Sequence, residues 1–474
     1  MIPTANLPEA VIRTAAEAAA VWRRTPVHDR TAVLLRAAQI YGTRSEDLAR
    51  TMAQEMGKPI SQGREEIRSC IRILEYTANE ADALLRGDTI ASEPGSSARV
   101  ALLPTGVVLG IMPWNYPHYQ LIRLIAPNLL LGNGVLFKHA RLCGSSALAV
   151  AEIFAAAGAP AGLVADSQFT HAQTGSAISH PAITGVSFTG GDTAGAAIAR
   201  AAGGAVKKVV LELGGNDPVI VFDESRVDEL ARTLATARLS NAGQTCVSPK
   251  RIIVRADIMP QFVTRFSAQF LAATPGDPLL EETVLGPLAT AGAGQSLREI
   301  LRSAVANGID VRGDSAELER TGRNFSPQLI VNPPRNHAVW TEELFGPVAI
   351  LHSAVDVSEA ISLANDSVYG LGATVYTSNV VEGERFLAEL ECGMISLNGP
   401  KGGSPAFPFG GVKRSGFGRE LGSLGIREFA NQQLIVEHHN ARTDVSSGSS
   451  GRNSYGRSSS GRSSSAAPPD HMPH

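Results

Sequence analysis

The sequence predicts an α/β protein in which two doubly wound α/β units follow one another, with a small β element and a disordered tail outside them. Three observations carry this prediction. Strand-like and helix-like patterns alternate from about residue 107 to residue 376, as in parallel sheets covered by helices on both faces. The chain has 474 residues, too many for one compact core. Residues 441–474 abandon apolar periodicity altogether.

Taken in order, residues 7–85 predict several amphipathic helices. Leu34, Leu35, Ala38 and Tyr41 fall at helical spacing, as do Ile67, Ile71 and Leu74, and Gly57-Lys58-Pro59 punctuates the run. Between 93 and 111, Gly/Ser turns and the apolar run 107–111 predict a hairpin leading into a strand. A buried strand at 134–138, a helix at 145–157, a strand at 185–189, a helix at 193–202 and a strand at 206–213 complete the first unit. Past Gly214-Gly215 the second unit runs through strand 218–222, helix 226–239, strand 251–255 and helix 259–271. It recurs in helix 355–364 and strand 372–376. Residues 441–474 are Ser, Gly, Arg and Pro with repeated Gly-Arg-Ser pieces. They cannot bury enough apolar surface to offset ordering entropy, which predicts disorder.

Composition narrows the function classes. The chain is 43% hydrophobic and 18% charged with a formal net charge of −3, which argues against a nucleic-acid or polybasic membrane partner. Its four cysteines, Cys70, Cys143, Cys246 and Cys392, form no CxxC pair. No metal site or disulfide scaffold is expected, only free thiols in a reducing, cytoplasmic compartment. Glu9 and Glu17 break up the N-terminal segment, so no signal peptide is expected. The most apolar stretch, 121–137, contains Arg123, Pro127, Asn128 and Asn133 and reads as core rather than a membrane span.

Four segments carry chemistry. Asn241-Ala-Gly-Gln-Thr-Cys246 lies between an apolar helix and a strand, and its small residues let the backbone approach a ligand. Cys246 reads as a cleft nucleophile, with a buried structural thiol as the alternative. Leu211-Glu-Leu-Gly-Gly215 puts Glu212 at an apolar strand end. Desolvation there raises a carboxyl toward a useful base, unless an ion pair claims it. Pro113-Trp-Asn-Tyr-Pro117 holds Asn115 in a proline-bracketed loop, as an oxyanion donor or a turn asparagine. Lys138 ends a strand where doubly wound sheets bind phosphates and riboses, or it simply snorkels.

Together these segments resemble the aldehyde dehydrogenase superfamily over about residues 7–437. Further matching pieces are Glu55-Met-Gly-Lys-Pro59, Phe188-Thr-Gly190, Glu342-Glu-Leu-Phe-Gly-Pro347, Asn365-Asp-Ser-Val-Tyr-Gly-Leu-Gly372 and Phe409-Gly-Gly-Val-Lys-Arg-Ser-Gly-Phe-Gly-Arg-Glu420. Lys138-His139-Ala140, Leu390-Glu-Cys-Gly393 and Gly416-Phe-Gly-Arg-Glu-Leu421 are most similar to bacterial NAD(P)-dependent succinate-semialdehyde dehydrogenases. The resemblance implies a Rossmann-like cofactor domain (1–85 and 105–214) and a catalytic domain (215–430). It also implies a β oligomerisation element (86–104 and 431–440) that builds a homodimer or homotetramer. Catalysis falls to Cys246, Glu212 and Asn115. NAD or NADP falls to Pro113, Trp114, Lys138, Arg141, Thr189, Gly190, Gly191, Gly195, Leu213, Glu343 and Phe345, and the aldehyde to Arg123, Tyr119, Ser240 and Phe407.

Several positions depart from the family pattern. Arg141 stands where Glu is frequent and Gly191 where Ser is frequent, so NADP is expected to serve at least as well as NAD, unless Arg141 is simply a solvated helix-start residue. The Gly190–Gly195 spacing is not the generic G-x-G-x-x-G fingerprint. Arg123 matches an arginine that binds a distal carboxylate, with a structural arginine on its helix as the alternative, and Ser240 replaces a second arginine found in some members. Tyr116, Tyr119, Phe407 and Phe409 suit an aliphatic or aromatic aldehyde equally well. Members commonly open with a strand pair before the first helix, whereas this chain begins almost at the helix. Two rivals stand: a CoA-acylating dehydrogenase, which has no need of Glu212 as a base, and a non-enzymatic binding protein on the same fold.

Overall fold

The computed structural model describes residues 7–93 and 96–438; the tail expected to be disordered, 441–474, lies outside them. Two parallel-rich sheets dominate. The first has six strands, in the order Gly416–Phe417, Lys208–Glu212, Ile183–Thr189, Val107–Met112, Gly134–His139 and Val164–Asp166. All its pairings are parallel except that of Gly416–Phe417, which runs antiparallel to Lys208–Glu212. Val107–Met112 lies near the middle, and all six of its residues are buried. That is why it reads as an unbroken apolar run rather than an alternating one.

Helices cover both faces of this sheet. Ile60–Asn79 buries Ile67, Cys70, Ile73 and Leu74, a stripe at helical spacing. The helix Pro117–Leu131 is buried almost all round. Proline occupies its first turn, and Gly132 ends it with φ +107°, a conformation that favours glycine. The apolar stretch at 121–137 is thus one core helix plus the strand Gly134–His139. Among the described residues no helix is long and apolar enough to cross a membrane.

The second sheet has seven strands in the order Val311–Gly313, Gln328–Val331, Val348–Ala354, Arg251–Arg255, Pro218–Val221, Gly372–Tyr376 and Met394–Leu397. Only the edge strand Val311–Gly313 is antiparallel. A third sheet joins Thr89–Glu93, Ser96–Pro104 and Ala430–His438, and the last pairs antiparallel along the whole of Ser96–Pro104. The terminal strand begins at Ala430, within one residue of the 431–440 segment that the resemblance implies.

One connection is absent from the sequence pattern. Although its position groups it with the second unit, the segment after Val412 returns to the first. Gly416 pairs with Glu212 and Phe417 with Leu211, while Leu421, Ile426 and Phe429 join the first core. The C-terminal end of the first sheet is therefore closed by chain from far downstream, beside the loops that carry the polar residues.

Candidate active site

Asn115, Glu212 and Cys246 come from three distant segments and line one cleft of about 250 Å³, shared with Pro113, Trp114, Thr189, Gly190, Gly191, Leu213, Glu343 and Phe345. A second cavity, of about 310 Å³, opens on the other side of Cys246. Tyr119, Arg123 and Ser240 line it, together with Tyr116 and Phe409. Cys246 and Gln120 are common to both linings, so the sulfur sits where the two spaces meet.

Each of the three side chains has its own environment. Cys246 stays partly open to the cleft, while burial pushes its thiol up to about 12; Lys250 and then Arg123 pull it back, and Glu343 and Asp217 add to the rise. Glu212 is 2% exposed, and neither of its carboxylate oxygens has a hydrogen-bond partner among the described residues. Burial first and the charge of Glu420 second raise its carboxyl well above the ordinary value, against the opposing pull of Arg123 and Arg419. Asn115 is buried and donates from Nδ2 to the carbonyl of Gln244 at 3.1 Å, which leaves its second amide hydrogen for another acceptor.

The cleft on the Trp114 side suits a dinucleotide. Trp114 and Phe345 meet edge to face at 5.8 Å between ring centroids. The Thr189 hydroxyl is buried and has no hydrogen-bond partner among the described residues. Gly191 caps the 13-residue helix Asp192–Gly204, whose N-terminus opens beside Gly190, and a Cβ added at Gly191 meets nothing within 4 Å. Glu343 pairs with the buried ammonium of Lys250 at 3.1 Å, and Lys250 also donates to the carbonyl of Cys246 at 2.6 Å.

Three expected cofactor residues lie outside that lining. Gly195 faces its own sheet: a Cβ there would fall 2.5 Å from a Leu213 methyl, so it serves close helix–strand packing. Lys138 is half-buried at the end of Gly134–His139, and Arg141 is exposed one turn later. The two are electrostatic neighbours: burial, then the Arg141 charge, hold the Lys138 ammonium below its ordinary value.

In the second cavity Arg123 is 2% exposed and forms an ion pair with Glu420. Its guanidinium lies 4.2 Å from the Phe409 ring centroid and 5.1 Å from that of Tyr119, and its Nε has no partner among the described residues. Phe407 is exposed and lines an adjoining space with Tyr119 and Lys401 rather than the cavity reaching Cys246. Sequence reasoning missed Gln120, Lys250 and Lys401. Gln120 lies one helical turn before Arg123, a spacing that signals a shared face. Nothing local distinguishes the other two.

A model of the aldehyde dehydrogenase family matches residues 4–435. The succinate-semialdehyde dehydrogenase [NADP(+)] of Deinococcus radiodurans is 41% identical over 434 residues, covering 92% of this chain and 91% of that protein. The probable succinate-semialdehyde dehydrogenase [NADP(+)] of a Synechocystis species is 37% identical over 414 residues, covering 87% and 91%. Among solved structures, succinic semialdehyde dehydrogenase from Streptococcus pyogenes in complex with NADP+ is 34% identical with a TM-score of 0.85, covering 90% of this chain and 94% of that one.

Proposed function

The chain belongs to the aldehyde dehydrogenase family, and from that premise we propose that it oxidises succinate semialdehyde, or a closely related semialdehyde, to the acid. It is an NAD(P)-dependent oxidoreductase acting on aldehydes. The observation that carries the substrate reading is Arg123: a buried cation with an unpaired N–H, in the cavity that ends at the reactive thiol. A distal carboxylate suits it, because charge-assisted pairs in a desolvated site are the strong ones.

In this mechanism Cys246, as thiolate, adds its sulfur to the aldehyde carbon. The carbonyl oxygen becomes an oxyanion, which takes the free amide hydrogen of Asn115 and the backbone N–H of Cys246. Hydride acceptance is the chemistry that bound NAD or NADP supplies, held by Trp114, Phe345, Thr189 and the Gly190-Gly191 helix mouth. Loss of hydride from the former aldehyde carbon leaves a thioester on Cys246. Glu212 removes a proton from water, the resulting hydroxide attacks the thioester carbon, and the thiolate leaves with the acid released.

Lys138 and Arg141 form a cationic pair at the strand end, which supports use of NADP through its 2′-phosphate. An unpaired, buried Glu212 favours hydrolysis over acyl transfer to CoA. Exposed Leu434 and Val436 on Ala430–His438 support assembly into a dimer or tetramer, and four free thiols support a cytoplasmic setting. The domain division proposed is the sequence-based one, with 416–430 acting as a strap on the cofactor domain. The test is a steady-state screen of NAD and NADP reduction across semialdehydes and uncharged aldehydes. The substrate reading fails if an uncharged aldehyde of equal length gives the higher kcat/KM.

A further inference from the structure

The loop that delivers Cys246 is bent in an unusual way. Asn241 and Ala242 both lie in the left-handed region, at φ 51° and 52°, and Gly243 follows at φ 72°. Asparagine tolerates that region and glycine prefers it, but alanine does not, so the surroundings must hold the turn. Gly243 has no room for a side chain: a Cβ there would lie 2.2 Å from the Gly346 carbonyl. The Asn241 backbone N–H donates to the Gln62 side chain at 2.7 Å, and the Gln244 side chain donates back to the Asn241 carbonyl at 3.0 Å.

Asn241 is 1% exposed, and its side chain faces the backbone of Asn115. Its Nδ2 donates to the Asn115 backbone carbonyl at 2.9 Å and to the Gln244 carbonyl at 3.3 Å. The Asn115 side chain donates to that same Gln244 carbonyl. One buried amide thus ties the loop carrying the oxyanion donor to the loop carrying the nucleophile, and the two loops share a single acceptor.

We propose that Asn241 is a positioning residue whose carboxamide braces Asn115 against the Cys246 loop and so sets the oxyanion donor relative to the sulfur. The proposal rests on the reading of Asn115 as that donor. Asn241 need not touch the aldehyde: its effect reaches the reaction through the orientation of Asn115, where a small misplacement costs rate steeply.

The experiment compares the full-length enzyme with Asn241→Gly, Asn115→Ala and the double variant, measuring kcat and KM for aldehyde and coenzyme. Glycine keeps the left-handed backbone while removing the brace. Asn241→Asp, which keeps the shape and loses the donor, is the second variant should glycine compromise folding. A brace predicts that Asn241→Gly and Asn241→Asp each lower kcat by about tenfold to a hundredfold. Coenzyme KM should stay within about twofold, because the cofactor cleft does not include Asn241. In the Asn115→Ala background the second change should add less than about twofold, since its only route is already lost. The proposal is overturned if the single variants keep wild-type kcat, or if their losses multiply in the double variant. An Asn115→Ala enzyme with undiminished kcat instead removes the oxyanion reading itself, and this inference with it.

Discussion

Arg123 and Glu420 form a buried ion pair beside the cavity that reaches Cys246, with Arg123 2% and Glu420 6% exposed. The pair gives the arginine two roles that a single substitution confounds. It presents a cation to the cavity, and it neutralises a carboxylate whose charge raises Glu212.

Arg123→Met is therefore expected to raise KM for succinate semialdehyde by roughly tenfold or more while leaving KM for butanal nearly unchanged. The same change strands Glu420 and should cost about 3–5 kcal/mol of stability, as breaking a buried pair does. Adding Glu420→Gln should recover much of that stability but none of the semialdehyde affinity. Denaturant unfolding and paired kinetics measure both; equal KM increases for the two aldehydes would defeat the carboxylate-anchor reading.

Glu212→Gln should separate the two halves of the reaction. Acylation proceeds and hydrolysis does not, so a burst of about one reduced coenzyme per active site precedes a turnover slowed by about 10²–10⁴-fold. In the wild type the hydrolytic rate should fall as acid protonates Glu212, with a midpoint above the ordinary carboxylate value of 4.5 because its carboxyl is raised. Absence of a burst in rapid-quench experiments would place the slow step elsewhere.

The same raised carboxyl makes a thermodynamic prediction. Between 4.5 and the raised folded value, the folded protein binds more protons at Glu212 than the unfolded chain does. Stability from this group is therefore complete below 4.5 and is lost as pH rises through the folded value. Glu212→Gln, which never ionises, should raise Tm more at about pH 8 than at about pH 5. Calorimetry at the two pH values is the check, and a Tm gain that is the same at both would contradict it.

Arg141→Glu should lower kcat/KM for NADP by about a hundredfold, since it replaces an attractive charge near a 2′-phosphate by a repulsive one. NAD kinetics should change little, because its ribose carries no such charge. A proportional loss with both coenzymes would show that Arg141 acts on folding or on the strand end rather than on the phosphate.

Val206 offers a test of stability alone. It is 94% exposed at φ 55°, just past the helix Asp192–Gly204. Its N–H bonds Gly203 and that of Lys207 bonds Ala202, the closing pattern that places a left-handed residue at this position. Val206→Gly should stabilise the protein by about 1 kcal/mol with unchanged kinetics, because β-branched residues resist that backbone. A lower Tm would refute it.

Some of this was visible in the sequence, for a definite reason. Cys246, Glu212 and Asn115 each sit in a short run whose glycines and prolines fix the local backbone, so the run itself announces an exposed thiol, a buried carboxylate and a held amide. The strands and helices that carry them follow apolar periodicity and emerged within a few residues. What depends on distant segments meeting did not show. The Lys250–Glu343 pair, the brace from Asn241 to Asn115 and the return of Gly416–Phe417 to the first sheet join parts whose local patterns say nothing of one another. Gly195 was ambiguous for the opposite reason: a glycine at a helix mouth suits a phosphate and a tightly packed strand equally well, and the structure adds that Leu213 leaves no room for a side chain there.

The antiparallel pairing of Gly416 with Glu212 bears on the order in which the protein is made. A ribosome delivers the thiol at position 246 well before residues 416–417 emerge, and until then the strand ending in Glu212 has a bare edge. The nascent chain consequently carries Cys246 through much of translation without the strand that pairs beside Glu212, and the cleft between them is among the last parts of the fold to be walled in.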